Sequence, residues 1–491
     1  TMATTTTKSR FDQTVLVVGG GPSGASAAKV MVDKGYTKVH LFEAYPHPKS
    51  FAKTSSKAYV IALTPRGQQG IKDATGIDVL EEVSSPTSKL GVVSHHLARH
   101  VTTRKGKTSS KARHNPGIPR VIVTRQALTE RLLDAARESH VTIHYQHKLA
   151  DIDFDNKVAT FESGESTTTN VSYDLLIACD GCHSKVRNLM VENQTTLKDF
   201  TARTEEDSME YQVAVLPKNP FAESHPRNTV HSWNNSEMNA ICLGFPTKSK
   251  TGDETAMLFA MVFPEGKLAS FHQSGYKEPL TKLLPDLFDR AQGDAILQTF
   301  KDQMRANQIS NGGLCVWSSC LGHAPSGVLL LGDSGHGMWP SLGQGANCAL
   351  ESVSVFVKCL DGLSSSSDEA WTEKLIVAFQ EARHKDAVSA VDLTYGGIGA
   401  RESRGRLNAP LTNKLQMVGM MLLHKMSFGV IPMPALVRVL MGSKDISYST
   451  AKKFHFGYEK FICGGALAVV LMGTAMGTIR FGAGRRGSGG L

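Results

Sequence analysis

The segment Gly19-Gly20-Gly21-Pro22-Ser23-Gly24 carries the spacing G-x-G-x-x-G, which lets a chain turn tightly beneath a pyrophosphate. Gly19 suits the turn, Gly21 lets the backbone approach phosphate oxygens, and Gly24 lets a helix pack closely on a strand. The free N–H groups of that helix's first turn attract an anion. Glu43 ends the next apolar run, about twenty residues along, where a carboxylate accepts hydrogen bonds from a ribose. Glycine spacing alone is a weak signal. Gly482-Ala483-Gly484-Arg485-Arg486-Gly487 matches it too, yet follows an apolar tail and opens no helix.

Two later segments narrow the ligand. Asp174–Gly181 reads as a buried strand ending in Asp180-Gly181 and continues through Ser184 to Arg187. Leu330-Leu331-Gly332-Asp333 continues through Pro340 into Gly343-Gln344-Gly345-Ala346-Asn347. Each delivers an Asp beside a Gly at the carboxyl end of an apolar strand, where ligands of open α/β sheets sit. The second also opens a glycine turn onto a helix, whose N–H groups suit an anionic flavin edge. Three signals in this order point to FAD rather than NAD.

Other reactive side chains have plainer readings. No histidine shows H-E-x-x-H or similar spacing, so no metal is expected, and no side-chain nucleophile is required. Cys179 and Cys182, the one C-x-x-C pair among eight cysteines, read as packed thiols of a reducing compartment. His336 reads as a structural hydrogen-bonding group, and His95, His96, Arg99 and His100 as a solvated basic cluster.

The elements that must position these residues follow from periodicity. Thr14–Val18, Ser23–Lys34 and Lys38–Glu43 make a β-α-β unit around the glycine loop. Gln126–Arg137 repeats Leu128, Leu132, Leu133 and Ala136 at helical spacing, with a strand at Val141–His144 after it. Residues 84–118 read as irregular strands and loops, and Asp151–Glu162 as a hairpin. Gln212–Leu216, Asn239–Leu243 and Ala256–Val262 alternate as strands of a separate sheet-rich lobe. Val328–Leu331 is another buried strand, and helix dominates from about Gln344 onward.

The fold class is therefore α/β: a Rossmann-like FAD-binding domain, a sheet-rich substrate lobe and a C-terminal helical or membrane tail. The expected division is a disordered lead at 1–10, a discontinuous FAD-binding domain at 11–200 and 320–400, the lobe at 201–319, a helical region at 401–460 and an anchor helix at 461–480. Phe461 to Ile479 carries no charge, follows Lys460 and precedes Arg480. As a helix it would span roughly 28 Å, close to a bilayer core of about 30 Å. A hydrophobic fraction of 41% over 491 residues supports sizeable cores. Lys+Arg of 54 against Asp+Glu of 45 gives +9, spread without like-charged blocks, which argues against a nucleic-acid partner.

The order GGGPSG, CDGxxSxVR and GDxxHxxxPxxGQGxN resembles the class A flavoprotein hydroxylases, which have the p-hydroxybenzoate hydroxylase fold. Within them it is similar to the kynurenine 3-monooxygenases. Ile61-Ala62-Leu63 with Arg66-Gly67, Thr124-Arg125 with Leu128, His231-x-Trp233 and the late segment Tyr448–Lys460 agree, so the resemblance covers nearly the whole chain. It implies that Gly19, Gly21, Gly24 and Glu43 hold the ADP half of FAD, that Arg125 contacts FAD, and that Asp333 binds ribityl hydroxyls. Ala346 and Asn347 would line the flavin ring through their backbone, and Asp180 and Arg187 would serve FAD and a transient NADPH. The implied reaction is NADPH- and O2-dependent hydroxylation of an aromatic substrate through a flavin C4a-hydroperoxide, at a membrane and, by resemblance, the mitochondrial outer membrane.

The family's substrate-gripping Arg and Tyr fall near Leu90 and Arg113, its later Asn at about Gly396 and its distal Tyr near Pro434 or Ala435. The substrate grip thus departs from the family pattern while the flavin motifs are kept, and Arg113 is the candidate cation for a substrate carboxylate. Two other functions remain compatible with the same residues. One is an FAD-dependent reductase or oxidase acting on an apolar substrate, and the other a non-catalytic, membrane-anchored flavin-binding protein.

Overall fold

Val15, Leu16, Val17 and Val18 are all buried, and alternate members serve different cores. Val15 and Val17 pack with helix residues Ala25, Ala27, Ala28, Leu132 and Val353 on one side. Leu16 and Val18 pack with Phe42, Phe154 and Phe161 on the other. A strand buried on both faces belongs in the middle of a covered parallel sheet. The computed structural model places it there. It describes residues 9–50, 59–85, 87–103, 107–114, 120–164, 167–248, 255–289, 292–307, 309–363, 370–396, 411–428, 430–459 and 462.

Six strands form this sheet, in the order Gly322–His323, Val328–Leu330, Leu175–Ala178, Thr14–Val18, Lys38–Glu43 and Thr142–Tyr145. All pairs are parallel except the edge pair Gly322–His323 with Val328–Leu330. Helices Pro22–Asp33, Arg125–Glu138 and Gly345–Asp361 contribute to the core on one face. On the other lies a three-stranded meander, Lys148–Asp153, Val158–Ser163 and Thr167–Ser172, one strand more than the expected hairpin. The carboxyl ends of Thr14–Val18, Leu175–Ala178 and Val328–Leu330 thus bring the glycine loop, Asp180 and Asp333 to one end of the sheet.

The second lobe is a seven-stranded sheet, backed by helices such as Lys277–Leu283 and Gly293–Ala306. Two of its strands, His96–Thr102 and Thr108–His114, come from the stretch expected to be irregular and to belong to the FAD-binding domain. His96–Thr102 runs parallel to Thr229–Asn235, so the lobe extends beyond 201–319. The alternation was disguised because polar side chains occupy inward positions. His100 is buried and bonded to His231 at 3.2 Å and to Asp286 at 2.7 Å.

Helix Trp371–Gly396 and the segments Leu411–Met426, Ala435–Leu440 and Tyr448–Lys453 complete the C-terminal part. Of the lead expected at 1–10, Ser9 and Arg10 are described, and Arg10 opens a short 3-10 turn, Arg10–Asp12. The anchor expected at 461–480 lies outside the described residues apart from Ile462. Among the described residues no helix is long and apolar enough to cross a membrane.

Candidate functional site

The glycine loop is held by contacts that admit no side chain at two positions. Gly19 sits at φ +101°, and a Cβ there would lie 2.4 Å from the Cys179 carbonyl oxygen. A Cβ on Gly24 would lie 1.9 Å from the Gly19 carbonyl oxygen, so the helix packs directly on the turn. Gly21 is the N-cap of helix Pro22–Asp33, and the nearest atom to a Cβ on it is Arg125 Nη2, 3.9 Å away. The space in front of the loop is open to a ligand. Glu43 braces the turn from the neighbouring strand, accepting from Gly20 N at 2.6 Å and from Tyr45 N at 2.9 Å.

This loop forms one end of a cavity of about 2410 Å³ between the two sheets. Gly19, Gly21, Glu43, Arg125, Asp180, Asp333 and Ala346 all line it, so seven of the expected cofactor residues converge on one space. Its opposite wall is the lobe sheet, where Val213, Ile241, Leu243, Phe245, Ala260 and Val262 present an apolar surface. In-between residues such as Ala214, Cys242 and Met261 turn to the core behind. That is the period-two alternation of a strand.

Three expected contacts stand behind the wall. Gly24 acts through packing. Arg187 is 1% exposed and donates to the Ser334 carbonyl at 3.0 Å and the Cys182 carbonyl at 2.9 Å. It ties the Asp180 turn to the Asp333 loop, because burying a guanidinium requires that its donors find acceptors. The Asn347 side chain accepts from Thr64 N at 2.8 Å and donates to Ala62 O and Gly343 O, both at 3.1 Å. It clasps the turn at 343–347 to strand Val60–Leu63. Arg113 lies on the outermost strand opposite Leu97, and its side chain is outside the described residues. Leu90 is buried in the core and offers no grip on a carboxylate.

The charged groups are poised for a polar ligand. Asp333 Oδ1 is buried with no partner, and burial raises the carboxyl pKa against the lowering pull of Arg125. Burial also raises Asp180, offset by hydrogen bonds from Ser184 and from Val186 N at 3.1 Å, while its Oδ1 is unpartnered. Arg125 lies over the Tyr59 ring at 5.5 Å. Tyr59 favours its charged form, burial opposes, and Asp333 and Glu43 add to the first. Two orphaned carboxylate oxygens, a cation and an open glycine loop on one cavity call for a ligand that carries hydroxyls and an anion.

The plainer readings of His336 and the cysteine pair agree with the geometry. His336 is buried, its Nε2 lies 2.8 Å from Ser352 Oγ, and burial lowers its pKa to about 3, leaving a neutral imidazole. Burial raises both Cys179 and Cys182, which keeps them as thiols. Among the described residues no His, Cys, Asp and Glu cluster could hold a metal ion. The basic cluster does not stay together in solvent: Arg99 lines the cavity and His100 is internal. The signal was parity, since Ala98 and His100 share the buried face and Arg99 must take the other.

The FAD binding domain family matches residues 12–393. The kynurenine 3-monooxygenase of Debaryomyces hansenii is 26% identical over 96% of this chain and 95% of its own. That of Neurospora crassa is 27% identical over 78% of this chain and 77% of its own. Among solved structures, tetrameric 2-methyl-3-hydroxypyridine-5-carboxylic acid oxygenase superposes with a TM-score of 0.58 at 18% identity, covering 87% of this chain and 96% of that one. PqsL of Pseudomonas aeruginosa in complex with 2-aminobenzoylacetate gives 0.58 at 16% identity, covering 81% and 98%. These two likenesses establish the fold. The cavity's donor and acceptor set fits FAD: the open glycine loop could take a pyrophosphate, and the orphaned oxygens of Asp180 and Asp333 could take hydroxyls.

Proposed function

Because the chain belongs to the FAD binding domain family, we propose that this FAD-dependent monooxygenase uses NADPH and O2 to hydroxylate an aromatic substrate, in the manner of the kynurenine 3-monooxygenases it is similar to. The observation that carries the reading is the convergence of the glycine loop, Arg125, Asp180 and Asp333 on a cavity whose far wall is apolar. Bound FAD supplies the redox chemistry, with oxygen activation at C4a and NADPH as electron donor. The protein's part is binding, orientation and exclusion of water. Gly19, Gly21 and Glu43 hold the ADP end, Asp333 the ribityl chain, and Arg125 and Asp180 the middle of the cofactor. Asp180 and Arg187 would also serve the passing NADPH, Arg187 by holding the Asp180 turn in place. Ile241, Leu243 and Phe245 would keep an aromatic ring dry beside the flavin. Arg113 is the proposed partner for an acidic group on the substrate.

The test is NADPH oxidation by FAD-loaded protein with and without L-kynurenine, following 3-hydroxykynurenine by mass spectrometry. Stimulated oxidation with stoichiometric product is expected. NADPH consumption that L-kynurenine neither stimulates nor channels into product would favour the second reading, a reductase or oxidase of an apolar substrate, which the breadth of the apolar wall supports.

We also propose that 461–480 anchors the enzyme to a membrane, the mitochondrial outer membrane by resemblance, on the strength of its uncharged run between Lys460 and Arg480. Ending the chain at Lys460 should move it from the membrane to the soluble fraction, and unchanged partitioning would count against the anchor.

A further inference from the structure

The flavin-side turn at 343–347 is supported from behind by the C-terminal segment. Tyr448 is 1% exposed, and its hydroxyl donates to Gln344 Oε1 at 3.2 Å. Gln344 is itself buried and is the N-cap of the helix Gly345–Asp361, whose first residues line the cavity. Burial holds the Tyr448 pKa far above its usual value, so the phenol is a neutral donor at any working pH.

Tyr448 is locked in turn. The Arg66 guanidinium lies over its ring at 4.7 Å and donates to the Ser443 and Ile446 carbonyls just before it. Arg66 also pairs with Glu351 at 2.6 Å, and Glu351 with Arg383 at 3.0 Å. Arg383 donates to the Cys348 carbonyl at 2.9 Å, one turn along from Gln344. Ser449 N reaches Asp386 at 2.7 Å. Apolar packing follows the same path: Leu436, Val439, Ile446 and Tyr448 share one core with Met338 and Leu342, which lead into the turn.

We propose that Tyr448 is a positioning residue for the flavin. Through Gln344 it fixes the start of the helix Gly345–Asp361, and so the direction in which the first N–H groups of that helix face the ring. A helix N-terminus stabilises negative charge only while its N–H groups stay aimed at it. Reduced flavin carries that charge, so the Tyr448–Gln344 bond tunes the reduction potential as well as cofactor affinity. The C-terminal segment is thereby part of the flavin site although none of its residues from 435 to 459 lines the cavity. The inference rests on FAD occupancy alone, so it stands or falls separately from the substrate reading.

The test uses the full-length, FAD-loaded protein with Tyr448→Phe, Gln344→Leu and the double variant. Potentials are measured by dye equilibration and FAD affinity by flavin fluorescence, both without substrate, alongside a thermal melt. Tyr448→Phe keeps the ring under Arg66 and removes only the hydroxyl. A tenfold loss of preference for the reduced flavin is expected, a shift of about 30 mV to more negative potential for a two-electron couple. Gln344→Leu should give the same shift, and the double variant no more than either alone. An unchanged potential in both single variants, or shifts that add in the double, would overturn the proposal. If Tyr448→Phe does not fold, Gln344→Leu decides alone: unchanged potential overturns it and a negative shift supports it. A lower melting temperature with unaltered potential marks an ordinary packing role and also overturns it.

Discussion

The two walls of the cavity are built by different means. The FAD wall is built on backbone geometry: a glycine turn in which a Cβ on Gly19 or Gly24 would lie within 2.4 Å of a carbonyl oxygen, carboxylates at strand ends, and a helix start clasped by Asn347. The lobe wall is made of alternate side chains on a sheet whose hydrogen bonds do not depend on which apolar residue projects. A wall of backbone admits one geometry and few sequences. A wall of side chains can be repainted without disturbing the sheet beneath it, so cofactor and substrate specificity can change independently here.

The hardest blow to that contrast is Gly24→Ala. Its methyl would meet the Gly19 carbonyl oxygen at 1.9 Å, so the variant should purify without flavin, as read by the visible spectrum. A normal yellow protein would show that the turn is softer than its contacts indicate. Asp333→Ala comes next. Losing a hydrogen bond to a charged group, about 1.5–3 kcal/mol, should weaken FAD by about tenfold to a hundredfold in a fluorescence titration. Retained stoichiometric flavin on dilution would remove Asp333 from the ribityl site.

On the other wall, Leu243→Ala should raise the substrate KM by about tenfold and leave flavin content untouched. Loss of flavin there would mean that the walls are not separable. A further effect, on stability and not on turnover, concerns pH. His336 stands behind the flavin loop with its folded pKa lowered from 6.5 to about 3 by burial, the nearby Arg383 charge adding to it. The unfolded chain therefore takes up a proton that the folded chain refuses as pH falls from 6.5 toward 3, and stability is lost across that window. His336→Asn should flatten the fall of melting temperature between pH 6.5 and about pH 4. An identical slope would show that other groups carry the acid sensitivity.

The same contrast explains what could be read from sequence. Gly19, Gly24, Asp180, Asp333 and the Gly343–Asn347 turn were legible because a required backbone geometry leaves few residue choices. The lobe's first two strands were not, because the buried His100, bonded to His231 at 3.2 Å, stands where periodicity looks for an apolar residue, and the strand beside it is exposed. Arg187 was found by its motif but misplaced by it: sequence shows that a cation is present, not that two carbonyls have already claimed it. The Arg66–Glu351–Arg383 chain joins residues far apart in sequence, and no local pattern announces it.

The parallel seam between His96–Thr102 and Thr229–Asn235 bears on how the molecule assembles. It joins strands separated by much of the FAD-binding domain, so the lobe cannot close until that intervening chain has found its place. Long-range parallel pairing of this kind is slow to form, because loop closure comes before any reward. A fragment cut at 201–319 would leave Thr229–Asn235 as a bare edge, ready to pair with another copy. Newly made chains carry the same exposed edge until the seam zips, which makes it the point where folding and aggregation compete.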